Sequence, residues 1–203
     1  MDHDKNIISE KSLSKESILK IVDVLREKKD TYYHFYVGNV LCCEQFDLAA
    51  KRFYEFNRGV ERKYRMEIRI VVDTKEYVQT GRHDINKIVV MDSDNNYLKN
   101  IRKKIELIKG IEVTSSGACN FEINSKGVNK GEALISLANY YNIPIEKCIA
   151  VGNDENDISM IKNAGLGVAV SNAANKIKSI ANYVTIMDNN NDAIVEVIDK
   201  FIK

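Results

Sequence analysis

The chain has no tryptophan and a single proline, Pro144. No proline- or glycine-rich tract divides it, which excludes a flexible tether between its parts. Cysteine is sparse: Cys42, Cys43, Cys119 and Cys148 sit in apolar, strand-like contexts without C-x-x-C spacing. That pattern argues against a zinc site or a disulfide framework, so reduced, buried thiols of a cytoplasmic protein are expected. No apolar run approaches the roughly 20 residues needed to span a bilayer. The charged opening MDHDKNIISE lacks the apolar core of a signal peptide. Neither sign of charge dominates: 30 Lys and Arg face 29 Asp and Glu, for a net charge of +1. A surface that coats a polyanion needs more positive charge, so neither nucleic acid nor membrane is expected as a partner. There is no internal repeat and no low-complexity tract.

What is present is alternating pattern. Ser14 is placed to cap a helix, with Leu13 and Ile18 spaced as a hydrophobic staple. Ile18, Ile21, Val22 and Leu25 then mark one helical face. A short strand is expected around Asn6–Ser9. Thr31–Val37 and Val40–Phe46 are β-rich runs around Gly38-Asn39, a hairpin signal. A helix is expected over 47–58 and a strand within EIRIVVD. Lys87–Met91 reads as another strand, Leu98, Ile101, Ile105 and Ile108 as a helical face, and 111–115 and 118–123 as an antiparallel pair. From Gly127 onward the texture changes. Helices at 130–141, 157–163, 173–181 and 191–202 alternate with short apolar strands at 148–151, 167–170 and 183–186. Single strands separated by helices imply parallel crossovers. The expected fold class is therefore α/β: a mixed α/β part over residues 1–125, then a Rossmann-like parallel sheet over residues 126–203.

Two polar clusters interrupt this second part. The run VGNDENDISMI places Gly152, Asn153, Asp154, Glu155, Asn156 and Asp157 directly after the apolar strand CIAV. In an open parallel sheet the carboxyl ends of strands are where ligands bind, and carboxylates and carboxamides are the oxygen donors that Mg²⁺ takes. The second cluster is GVNKGEAL. Asn129 can cap a helix with Glu132 three residues on, which puts Lys130 in the first turn. A lysine there opposes the helix dipole unless an anion is bound. Helix amides and an ammonium together make a phosphate site.

Together, GVNKGEAL, the run IPIEKCIAVGNDENDISMIKNAGLGVAVSNA and the strand YVTI resemble the haloacid dehalogenase (HAD) superfamily, and within it the Cof-like sugar-phosphate phosphatases. The resemblance follows residues 119–203 almost without gaps, and the preceding part is compatible with the inserted α/β cap of that family. It implies a HAD-type core, incomplete because only its C-terminal half is matched. It implies Mg²⁺ as cofactor, a small phosphorylated metabolite such as a sugar phosphate as substrate, and phosphomonoester hydrolysis through an aspartyl-phosphate. It makes Lys130, Asn156 and Asp157 the catalytic set, with Lys130 and Asn156 on the phosphate. Asn153, Asp154 and Asp157 become the metal-side residues. Asn153 stands where the family carries an aspartate, so weaker Mg²⁺ binding is expected.

The family's nucleophile lies in D-x-D-G-T, and no such run occurs here. Asp2-His3-Asp4 has no strand before it. Asp92-Ser93-Asp94 follows a strand but is continued by Asn95-Asn96, and reads as a helix-capping cluster. Whether these residues amount to an enzyme is therefore open, and no turnover is expected of them as they stand. The alternative is a non-catalytic remnant that binds a phospholigand or pairs with another chain. In the complete fold the missing strand lies beside 148–151, so self-association through that exposed sheet edge is the expected hazard. His3, His34 and His83 have no ligand-spaced partners and are expected to be structural or exposed. The Asp188–Asp192 tract reads as a loop with an N-cap.

Overall fold

The computed structural model describes residues 7–81 and 84–202. They fall into two compact units, one of residues 11–127 and the other of residues 128–202 with the short stretch 7–10. The first unit thus closes at Gly127. Residues 7–10 group with the second unit, although the sequence pattern assigned them to the first, and 7–9 form no strand. His3 and His83 lie outside the described residues.

The first unit is built on a six-stranded sheet in the order β3-β2-β1-β4-β6-β5. Helix α1 spans Lys15–Leu25, and the Ser14 hydroxyl accepts the Ser17 amide at 3.1 Å as its cap. Leu13 and Ile18 are buried in the same core, as the staple requires. Strands β1 (Tyr32–Val37) and β2 (Val40–Cys43) form the hairpin, closed at the Val37–Val40 pair with Gly38 at φ 55°. Helix α2 (Leu48–Arg58) then crosses over, so that β3 (Glu67–Ile70) pairs with β2 in parallel. A short helix α3 (Thr74–Thr80) follows, capped by Asp73. The sequence pattern did not reveal it, because seven residues are too few to display a helical period. Strand β4 (Lys87–Met91), helix α4 (Asn95–Glu106) and the antiparallel pair β5 (Ile111–Thr114) and β6 (Asn120–Ser125) complete the unit.

Side chains alternate across this sheet. Phe35, Ile88, Val90, Phe121 and Ile123 face one side, where they are fully buried with Ile21, Leu25 and Ile105 of α1 and α4. On the other side α2 packs over Leu41 and Cys43, with Ala50 between. The aromatic run of β1 divides accordingly: Tyr33 and Phe35 join the main core, whereas Tyr36 packs against the cluster under α2. Asp94 caps α4 through the amides of Asn96 and Tyr97, as the capping reading of this cluster requires. Asp92 pairs instead with Lys28 at 2.5 Å.

The second unit is a three-stranded parallel sheet in the order β7-β8-β9. It runs α5 (Lys130–Tyr140), β7 (Ile149–Gly152), α6 (Ile158–Asn163), β8 (Leu166–Ala169), α7 (Asn175–Lys178), β9 (Tyr183–Val184) and α8 (Ala193–Phe201). The α/β fold with a parallel, Rossmann-like sheet is therefore present. Its later elements are shorter than the pattern implied, α7 having four residues and β9 two. The core is correspondingly small: Ile161, Ala169, Val170, Ala173, Ile177 and Ala193. Strand β7 is an end strand, with β8 on one side and no described strand on the other. Helix α8 buries only Ala193 and Val197, while Ile194, Val195 and Ile198 are exposed. Cys42 and Cys43 are buried as expected, but Cys119 is exposed and Cys148 half-buried. The latter two stand near strand ends, where apolar neighbours in sequence do not guarantee cover.

Candidate functional site

The residues singled out in the second unit converge at the carboxyl end of β7. Helix α5 begins as its sequence dictates, with the Asn129 side chain accepting the Glu132 amide at 2.9 Å. That start puts Lys130 in the first turn, where its Nζ lies 2.5 Å from Asp157 Oδ1. The two partners are unequally placed: the lysine side chain is half exposed and the carboxylate is buried, at 4%. A buried carboxylate needs charge-assisted partners. The other oxygen of Asp157 has them, accepting the backbone amides of Asn153 at 2.8 Å and Asp154 at 3.2 Å.

This arrangement explains the composition of the turn after β7. Asp154 caps a single 3-10 turn (Glu155–Asp157) and accepts the Glu155 amide, while Asp157 reaches back to the Asp154 amide, forming a reciprocal capping box. Gly152 is required because a Cβ there would overlap the Asp157 side chain, lying 2.7 Å from its Cγ. Ser159 ties the two clusters together, since its Oγ accepts the Gly131 amide at 2.9 Å. Sequence reasoning missed Ser159; a hydroxyl in the first turn of a helix carries no spacing signal until its partner helix is known.

Both oxygens of Asp157 are occupied by internal donors. In this geometry the residue holds Lys130 and the turn. Asn153 is exposed with its side chain making no hydrogen bond, and Asn156 is half-buried, likewise without one. Asp154 is half-buried and uses its carboxylate in the capping box. The side chains of Asn153, Asp154 and Asn156 offer one carboxylate, engaged in the cap, and two carboxamides, all hard oxygen ligands. This set suits Mg²⁺, a cation that binds through one or two carboxylates and retains waters. No group of three or more His, Cys, Asp or Glu residues with metal-ligand placement occurs among the described residues.

A cavity of about 360 Å³ opens beside this turn, lined by Val151, Gly152, Asn153, Asn189, Asn190 and Asp192 among others. The Asp188–Asp192 loop is therefore part of the site's wall as well as a connection. Asp188 organises it by accepting the Asn190 amide and the Asn191 side chain, each at 2.8 Å. Asp192 occupies the position before α8 in a left-handed conformation, φ 55°, and makes no side-chain cap. The N-cap expected of this tract is thus absent. Glu196 secures the preceding strand, accepting from the Tyr183 hydroxyl at 2.6 Å and from the amides of Ile186 and Met187. The Tyr183 hydrogen bond and these amides hold its carboxyl below the usual range.

A lysine and a buried aspartate are thus joined at the edge of a parallel sheet. A family model described as haloacid dehalogenase-like hydrolase matches residues 1–198. The chain belongs to the haloacid dehalogenase-like hydrolases. Over 94 residues it is 42% identical to the 5-amino-6-(5-phospho-D-ribitylamino)uracil phosphatase YcsE of Bacillus subtilis (strain 168), a match covering 46% of this chain and 36% of that protein. Over 84 residues it is 46% identical to phosphatase YwpJ of the same organism, covering 41% of this chain and 30% of YwpJ. Each match therefore spans about a third of the relative's length. Among solved structures, a haloacid dehalogenase-like hydrolase from B. subtilis superimposes with a TM-score of 0.79 at 25% identity, over 95% of this chain and 72% of that one. The HAD subclass IIB sugar phosphatase BT4131 shares the fold, with a TM-score of 0.77 at 21% identity, over 98% of this chain and 70% of BT4131.

Proposed function

We propose that this HAD-family chain carries the lysine half of a Mg²⁺-dependent phosphatase site of the Cof-like kind, for small cytoplasmic phosphomonoesters such as sugar phosphates. The observation that supports this most is the Lys130–Asp157 pair at the head of α5. An ammonium held by a buried carboxylate is fixed in position, yet it is half exposed and can meet an incoming anion. The first-turn amides of α5 add partial positive charge at the same place. A phosphoryl group bound there has its charge offset by Lys130, with Asn156 as a neutral donor to its oxygens. Asn153 and Asp154 would hold Mg²⁺, which supplies further neutralisation of phosphate charge. With a carboxamide where the family resemblance implies a carboxylate, that affinity is expected to be low, in the millimolar range typical of sparse-carboxylate sites.

Turnover also needs a carboxylate to accept the phosphoryl group. Asp157 is committed to internal partners, and D-x-D-G-T does not occur in these residues. The reading is therefore of phosphate and Mg²⁺ binding without hydrolysis by these 203 residues alone. Thermal unfolding with inorganic phosphate and MgCl₂ tests the binding: a rise in Tm that needs both ions and disappears in Lys130→Ala is expected. No rise at tenfold molar excess over millimolar affinity removes the proposal. Hydrolysis of p-nitrophenyl phosphate above the Lys130→Ala background would overturn the inactive reading while leaving the site standing.

A further inference from the structure

A lysine ammonium sits on a flexible four-carbon stem, and an ion pair whose cation is half exposed holds such a stem weakly. The position of Lys130 therefore depends on how its backbone is anchored. The anchor is at the next residue. Gly131 donates its amide to Ser159 Oγ at 2.9 Å, and Ser159 lies in the first turn of α6, two residues past Asp157. One hydrogen bond thus joins the backbone beside the ammonium to the turn beside its carboxylate.

The approach of the two helices at this point is close. A Cβ at residue 131 would lie 2.8 Å from Ser159 Cβ and 2.8 Å from Asn163 Nδ2, both on α6. Gly131 is buried although it stands in a first turn. Glycine lets the head of α5 rest directly on α6, and a larger residue would push the helices apart. The same contact works against anion binding in one respect. First-turn amides are the donors that a helix offers to an anion, and Ser159 withdraws that of Gly131. Ser159 therefore has two effects of opposite sign on an anion at the head of α5. As an acceptor it removes a donor; as an anchor it keeps Lys130 in place.

We infer that the second effect dominates, and that Ser159 is a positioning residue: it sets the start of the Lys130 side chain so that Nζ falls on Asp157 and stays turned toward an incoming phosphate. Its effect on phosphate rests on the proposed phosphate site. Its effect on the Lys130–Asp157 geometry does not.

Ser159→Ala decides the sign. Inorganic phosphate is titrated calorimetrically into the intact chain in excess MgCl₂, at a temperature where circular dichroism shows wild type and variant folded. A Kd raised roughly fivefold or more is expected, because misplacing a charged group costs affinity steeply. Any smaller rise, no change or a fall overturns the inference. A serine that only supported the fold would, when removed, lower the denaturant midpoint without moving the Kd. One that only occupied an amide would, when removed, tighten binding. The second readout is a crystal structure of Ser159→Ala without phosphate. Lys130 Nζ should stand beyond about 4 Å from Asp157, outside ion-pair range; an unbroken pair overturns the inference whatever the Kd does. If wild type itself binds no phosphate, the proposed function fails and this crystal structure alone judges Ser159. If Ser159→Ala does not fold, Gly131→Ala, which keeps the hydroxyl but forces the helices apart, takes its place under the same two criteria.

Discussion

The two units of this chain solve the same problem differently. The first builds a mainly antiparallel six-stranded sheet and buries a large continuous core from Leu13 to Ile123. The second joins three parallel strands by helices and buries a handful of small and branched side chains. Parallel sheets are normally covered on both faces and continued at their edges. Here β7 has a described neighbour on one side only, and α8 leaves Ile194, Val195 and Ile198 exposed. Yet it is this smaller unit that holds Lys130, Asp157 and the polar turn. Side chains of chemical use sit where the core is thin, at a strand end whose backbone amides are free to organise a carboxylate. The first unit can absorb loss of a core side chain better in kind, though not in amount, because its sheet is complete on its own.

Four measurements break or sharpen this contrast. The largest effect is expected from Phe121→Ala, which empties the centre of the large core: a loss of about 4 kcal/mol. Hydrogen exchange should show the amides of β1, β4 and β6 opening while those of β7 and β8 keep their protection. Equal loss in both sheets would show that the units do not unfold separately.

Next comes a pH effect confined to the first unit. Burial pushes His34 down to about 4; Glu122 opposes this weakly and Lys87 adds to it. The unfolded chain takes up its proton near pH 6.5, before the folded chain does. Stability is therefore complete above about 6.5 and falls as pH drops toward 4, by on the order of 3 kcal/mol. His34→Gln should flatten the dependence of Tm on pH across that window; an unchanged slope refutes the assignment.

Third, Gly152→Ala forces a Cβ into Asp157 and should cost about 2–3 kcal/mol, with local loss of protection in the second unit. Accommodation without loss would mean that the turn after β7 is not held by Asp157. Smallest is Lys130→Ala, which leaves a buried carboxylate with only its two backbone donors. Solvent around the half-exposed lysine limits the cost to about 1–2 kcal/mol, measured by denaturant midpoint. The variant should still fold, so that its failure to respond to phosphate and Mg²⁺ reports on binding.

Much of this was legible in the residues. Ser14, Asp94 and Asn129 each cap the helix their spacing announces, because a cap is a local interaction between a side chain and an amide three residues away. The hairpin at Gly38 and the strand 87–91 were equally readable. Helix α3 was not, being too short to show periodicity, and the missing cap at Asp192 depends on a backbone conformation imposed by the loop it ends. Within the site, the types and spacing of Lys130, Asn153 and Asp157 stood out, but Ser159 did not, since its only role is toward another helix. Of the partners of Asp157, the amides of Asn153 and Asp154 lie within four residues, whereas Lys130 is reached only through the fold.

By itself, then, the order of residues determined the helix starts, the hairpin, the switch from antiparallel to parallel strands and the presence of a polar turn after an apolar strand. All of these follow from interactions within a few residues of one another. Only the folded chain decided that Lys130 pairs with Asp157 and that His34 is buried. Those outcomes depend on which groups, far apart in sequence, exclude water from one another.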